Sequence, residues 1–187
     1  MNNCSARIIL KASDIEPVVK KLHQENKKIV LTQGSFDLVH IGHARYCDAA
    51  RDFGDVLIVG VDSDEKVRQR KGPNRPIVPE DERMEMLTHL RSVDYVILKE
   101  AGEEKFNLIK LIKPDVLIAT AATYDARTIK KLEKICGKVV VLDPMATTST
   151  TAKIRLMQMS TARKIEDRMK TKIIKSIEEV LEELRTS

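Results

Sequence analysis

Five short apolar runs, alternating with segments of helical pattern, constrain this chain more than any other feature. They are KIVLTQ, DVLIVGVDSD, DYVILKE, DVLIAT and KVVVLD, each rich in β-branched residues and uncharged at its centre. Strands that are apolar on both faces need a sheet covered on both sides, and parallel sheets are built that way. Between the runs lie IGHARYCDAARDFG, stopped by Gly54; PEDERMEMLTHLRSV, with Pro79 suited to a first helical turn; EKFNLIKLIK, ended before Pro114; and ARTIKKLEKIC, closed by Gly137. A further helix is expected over residues 13–26, where Ser13 or Asp14 can cap and Ile15, Val18, Val19 and Leu22 form one stripe. The alternation predicts an α/β fold, a Rossmann-like doubly wound parallel five-stranded sheet with right-handed crossovers.

From Ser160 the pattern changes to a charged helix, or two short ones, in which Ile165, Met169, Ile173, Ile177 and Leu184 recur every three to four residues. We therefore divide the chain into an α/β domain over residues 1–157 and an amphipathic C-terminal helical extension over 158–187. The extension is expected to pack on the domain, with a dimer contact as the alternative. No apolar run has the length of a membrane span, and the opening MNNCSARIIL is too short and polar for a secretory signal. Cys4, Cys47 and Cys136 form no CxxC pair, which fits free thiols in a reducing compartment. A cytoplasmic location is the expectation. The net charge of +5 favours anionic partners, phosphorylated metabolites or nucleic acid. With 3% aromatic residues and no Trp, a base-stacking platform for nucleic acid is poorly supplied.

The stretch KKIVLTQGSFDLVHIGHARY concentrates the chemistry. Ligands of open parallel sheets bind beyond the carboxyl ends of the strands, and Gly34, Asp37, His40 and His43 fall at such an end. Gly34 would let a ligand approach the main chain. A helix starting near Ile41 would offer free N–H groups to a phosphate, with both imidazoles beside it. A metal site is not expected: no third ligand has zinc-like spacing, and the two histidines are three residues apart where the paired-histidine signature uses four. Arg68, Arg70, Lys71 and Arg75 gather four cations around Gly72-Pro73. Ser149, Thr150 and Thr151 precede AKIRLM, and three hydroxyls exceed what capping one helix needs. Asp62 and Asp64, after the second run, fit an ordinary turn as well as a site.

GSFDLVHIGH resembles the GxFDxxHxGH signature of the cytidylyltransferase-like nucleotidyltransferases. RPIVPEDERMEMLTHLRSVDYVI, residues 75–97, is similar to a stretch of the heptose 1-phosphate adenylyltransferase domain. TSTTAKI, residues 148–154, looks like the STTxxI element that closes the nucleotide site there. The resemblance spans roughly residues 13–157. It implies that Thr32, Gly34, Ser35 and Phe36 shape a loop over a triphosphate, with Asp37 beside it. It also implies that His40 and His43 bind phosphate oxygens, that Lys71 reaches the phosphates from the loop after the second strand, and that Arg83 joins them in catalysis. Ser149, Thr150 and Thr151 would donate to the nucleotide, and Asp62, Asp64, Tyr124 and Asp125 would lie on the acceptor side. The family's KGGDY or GTDW element is replaced here by IATAATYDART. Ala121 and Ala122 stand in place of glycines, and Asp125 follows Tyr124 instead of preceding it.

The resemblance implies a nucleotidyltransferase that uses a nucleoside triphosphate, ATP first, with Mg²⁺, and a small phosphorylated acceptor such as a sugar 1-phosphate. It also carries the expectation of a homodimer. Glycerol 3-phosphate with CTP, and flavin mononucleotide with ATP, are the alternative pairs. A nucleotide-binding sensor or scaffold without transfer activity is the alternative from another class.

Overall fold

The structure is a computed structural model describing residues 4–120, 123–143, 145 and 150–185. Its described strands are β1 (Ile8–Ile9), β2 (Ile29–Gly34), β3 (Val56–Asp62), β4 (Tyr95–Lys99), β5 (Val116–Ala119) and β6 (Lys138–Val141). All pair in parallel, in the order β1-β4-β3-β2-β5-β6. The expected five runs are all strands. The sixth, β1, is a two-residue edge strand beside β4, too short to leave a periodic signal.

Between strands run α1 (Glu16–Gln24), α2 (Ile41–Arg51), α3 (Asp64–Lys71), α4 (Glu80–Thr88), α5 (Asn107–Ile112) and α6 (Ala126–Leu132). The expected helix over 13–26 is α1 preceded by a 3-10 turn over Ala12–Ile15, with no side-chain cap. The sequence predicts a loop where α3 forms. DEKVRQRK buries only Val67, so it carries no apolar stripe, but Ser63 Oγ accepts from Lys66 N and starts the helix.

The two sheet faces bury two separate cores, as alternation along each strand requires. Leu31, Ile58, Ile97 and Leu117 face Leu108, Ile109 and Ile112 of α5. Val30, Val59, Val61 and Val96 face Cys47 and Ala50 of α2 and Met84 and Leu87 of α4. At the amino ends of the strands, carboxylates close the sheet. Asp55 accepts from Lys28 N, Asp94 from Leu57 N and Asp115 from Ile29 N, at 2.7–2.8 Å. Gly54 and Gly137 allow this crowding, since a Cβ on either would lie 2.7 Å from a backbone oxygen.

The carboxyl ends stay open. β2 has β3 on one side and β5 on the other, so the winding reverses between β2 and β5. Crevices for ligands form at such a switch point.

The chain divides into two compact units, Met1–Thr147 and Thr148–Ser187. The second is built on one continuous 36-residue helix, α7 (Thr150–Arg185), in which Met157, Ile165, Met169 and Ile173 are exposed. No helix among the described residues is long and apolar enough to cross a membrane.

Candidate active site

Chain geometry after β2 begins with Phe36, whose φ of 48° is the left-handed region that a bulky residue rarely occupies. That turn folds its ring back over Gly34, and a Cβ there would meet Phe36 Cε2 at 3.1 Å. Gly34 therefore makes room for the Phe36 ring. The Phe36 ring in turn carries His43, with ring centres 5.5 Å apart.

The two histidines form a reciprocal cap on α2. His40 is the N-cap, and its Nδ1 accepts from Gly42 N at 3.1 Å. His43, in the first turn of the helix, accepts the His40 N–H on its own Nδ1 at 3.3 Å. The rings stack with centres 4.1 Å apart. This is the capping-box arrangement with imidazoles in place of hydroxyl and carboxylate. It settles the tautomer of the neutral rings: a nitrogen that accepts an N–H bears no proton, so each ring keeps its proton on Nε2. The helix amides expected to be free are thus partly spent. Each ring takes up an amide hydrogen on one side and offers an N–H on the other. Burial, then the neighbouring His40 ring and the Lys71 ammonium, pull the His43 pKa down to about 4. At neutral pH it is an uncharged donor.

Lys71 is the last residue of α3, close enough to His43 to act on its charge. Among the described residues it makes no hydrogen bond or ion pair. Burial, then Arg75 and Arg70, lower its own pKa, and Asp37 and Asp62 only partly oppose them. Its ammonium stands in a site short of negative charge.

Several other expected residues have protein partners. Asp37 is buried and holds the loop after α3: Oδ2 takes Arg75 Nε and Nη2 at 2.7 and 2.6 Å, and Oδ1 takes Ile77 N and Val78 N at 3.0 and 3.1 Å. Arg83 is 1% exposed and donates to Val78 O, Ser35 O and Asp64 Oδ1, riveting α4 to two loops. Glu80 accepts from Asp64 N. Asp62, also buried, binds Lys99 Nζ at 3.0 Å and Arg70 Nη1 at 2.6 Å. Thr32 is buried in the sheet, and its hydroxyl pairs with the Tyr46 hydroxyl at 3.0 Å. Asp125 caps α6 through Thr128 N at 2.7 Å and is exposed. Tyr124 packs edge-on against Phe106 at 6.0 Å, and burial followed by Asp62 raises its pKa.

Ser149, Ala121 and Ala122 lie outside the described residues, as do the side chains of Thr150 and Thr151, which open α7. Geometry thus brings His40, His43, Phe36 and Lys71 together, and gives Asp37, Arg75, Asp64 and Arg83 the work of holding them. Sequence reasoning passed over Gln33 and Lys99. Each is a polar residue near the carboxyl end of a largely apolar strand, a signal that was present. Among the described residues, no three His, Cys, Asp or Glu are grouped to hold a metal ion.

Comparison with known proteins adds three findings. A family described as cytidylyltransferase-like matches residues 31–174. The bifunctional protein HldE of a Nitratiruptor species is 40% identical over 145 residues, which is 78% of this chain and 31% of that protein. HldE of Aliarcobacter butzleri is 41% identical over 144 residues, 76% of this chain and 30% of that one. The chain therefore spans about a third of the length of the curated relatives it matches. The lipopolysaccharide core biosynthesis protein from Thermoplasma volcanium GSS1 superposes with a TM-score of 0.54 at 28% identity, over 66% of this chain and 99% of that one. A pantoate-beta-alanine ligase from Francisella tularensis has the same TM-score at 17% identity, over 73% and 67% of the two chains, a likeness of fold alone.

Proposed function

This chain belongs to the cytidylyltransferase-like family of nucleotidyltransferases, and from that premise we propose that it joins a nucleoside triphosphate, ATP first, to a small phosphorylated acceptor such as a sugar 1-phosphate. An acceptor phosphate oxygen attacks the α-phosphorus. The new P–O bond forms as the α–β bridging bond breaks, and pyrophosphate leaves with that bonding pair. A phosphate dianion needs no general base to attack, so no proton has to be removed. The stacked pair His40 and His43, with Lys71 beside it, carries this reading. Two neutral Nε2–H donors and an ammonium supply positive potential at the switch point of the sheet.

His43 fits the role of donor and not of base. Its Nδ1 is occupied by the His40 amide and its Nε2 already bears the proton. The nucleotide is taken to arrive as its magnesium complex. The described carboxylates Asp37, Asp62 and Asp64 are each bound to a cation of the protein, so the ion would come with the substrate, held by phosphate oxygens and water. The likeness of residues 75–97 to the heptose 1-phosphate adenylyltransferase domain, and the lipopolysaccharide role named for the Thermoplasma relative, support a sugar acceptor.

The test is pyrophosphate release with ATP or CTP against sugar 1-phosphates, glycerol 3-phosphate and flavin mononucleotide. Silence across the whole panel, with nucleotide bound, would favour the sensor. His43→Ala should lower kcat by roughly 100- to 1000-fold while nucleotide affinity falls far less. Equal loss in both would remove His43 from the transition state.

A further inference from the structure

A second cluster lies at the same ends of the strands but on the α5 face of the sheet, away from the imidazoles. It centres on Gly60, where a Cβ would meet Lys99 Cδ at 2.9 Å, Gln33 Cγ at 3.2 Å and Leu108 Cδ2 at 2.8 Å. The missing side chain lets Gln33 of β2 and Lys99 of β4 lie side by side across β3. Asp62, two residues beyond Gly60, holds Lys99 Nζ at 3.0 Å and Arg70 Nη1 at 2.6 Å. Tyr124 lies within electrostatic reach of Asp62 and Arg70.

The donors here outnumber what the protein satisfies. Among the described residues Gln33 Nε2 is buried with no hydrogen-bond partner, a costly state for an amide. Lys99 has three N–H donors and Arg70 five, and one carboxylate is shared between them. Burial lowers the Lys99 pKa, Lys66 and Arg70 lower it further, and Asp62 only partly offsets them. The side chain of Arg70 is 59% exposed, so it is open to a ligand.

We propose that Gln33, Lys99 and Arg70, gathered around Asp62, hold the phosphate of the acceptor, a monoester dianion. This rests on the nucleotidyl-transfer reading for the word acceptor, though the phosphate site itself does not. Lys and Arg supply charge-assisted bonds, and the Gln33 amide adds a neutral donor that a phosphate oxygen satisfies. Helix α3 ends between the two clusters: Arg70 is bound to Asp62, and the next residue, Lys71, acts on His43. Two phosphates brought to the strand ends from opposite faces would meet there, the geometry an in-line transfer needs.

The experiment is a titration of the full chain with inorganic phosphate, followed by the side-chain amide resonance of Gln33, with a non-hydrolysable ATP analogue titrated in parallel. A saturable Gln33 shift is expected. Lys99→Met should raise the phosphate Kd at least tenfold and Gln33→Met at least threefold, with the Kd of the ATP analogue changed less than twofold. If Lys99→Met fails to fold because Asp62 loses a partner, Gln33→Met, which removes no charge, decides alone. A phosphate response confined to His40 and His43, or an unchanged Kd in the variants, overturns the site. Loss of nucleotide binding beside an intact Gln33 response would instead overturn the nucleotidyl-transfer reading and leave the phosphate site standing.

Discussion

Replacing Asp37 by Ala should cost this protein about 3–5 kcal/mol, more than a polar substitution in a loop ordinarily does. The carboxylate side chain is 1% exposed and that of Arg75 is 13% exposed, and the carboxylate accepts hydrogen bonds from Arg75 Nε, Ile77 N and Val78 N beside its ion pair with Arg75 Nη2. Removing one member of a buried pair leaves an uncompensated cation, worth about 3–5 kcal/mol. Each orphaned buried amide adds about 1–3 kcal/mol. The full sum is an upper bound, because Pro73, Asn74 and Ile77 are exposed and the loop can swing its amides into water. The loss is therefore capped near the cost of undocking the loop. Asp37→Asn separates the parts. It keeps an acceptor for the two amides but no charge for Arg75, so it should be milder than Asp37→Ala by about 1–2 kcal/mol. The double variant Asp37→Ala/Arg75→Met should recover part of the loss, since it removes the stranded guanidinium. Denaturant unfolding gives the three values, and hydrogen exchange at Ile77 and Val78 reports the loop. An Asp37→Ala loss under about 1 kcal/mol, or no recovery in the double variant, would refute the anchoring role.

His43 should titrate near pH 4 in the free protein, against an ordinary value of 6.5. The folded chain then binds fewer protons than the unfolded chain between those values. The stability contributed by the neutral ring is complete above about pH 6.5 and falls away as pH drops through 4. The ring Cε1–H resonance reads the midpoint directly, and His43→Gln, which can still accept the His40 amide, should flatten that part of the stability profile. A midpoint at 6.5 would contradict the buried, uncharged ring. Thr32→Val leaves the Tyr46 hydroxyl without its partner and should lower stability by about 1–3 kcal/mol with the nucleotide KM unchanged; a raised KM would make Thr32 a ligand contact. Gly137→Ala would place a methyl group 2.7 Å from Asp115 O and should cost about 1–3 kcal/mol, seen as a lower Tm with normal pyrophosphate release. An unshifted Tm would mean that the strand end yields.

Much of the fold was legible because it is local. An apolar, β-branched run between turn residues announces a buried strand whatever lies elsewhere, and DVLIVGVDSD or DVLIAT needed no partner to be recognised. Helix α3 and strand β1 escaped for the converse reason: each is too short, or too poor in apolar residues, to show a period. At the candidate site, HIGH and its position after β2 pointed to a helix beginning at Ile41, which is where α2 starts.

The sequence by itself determined the parallel sheet and the placing of two imidazoles at the start of the helix after β2, because these depend on spacings within one turn or one strand. Only the tertiary structure decided what each polar side chain does. Asp37 meets Arg75 from 38 positions away and Arg83 meets Ser35 from 48, so no local pattern marks them as anchors. Among the described residues Gln33 Nε2 lacks a partner only once Gly60 and Lys99 are folded beside it. Burial makes such pairings decisive, since away from water a donor or a charge must find its counterpart in whatever the fold brings near.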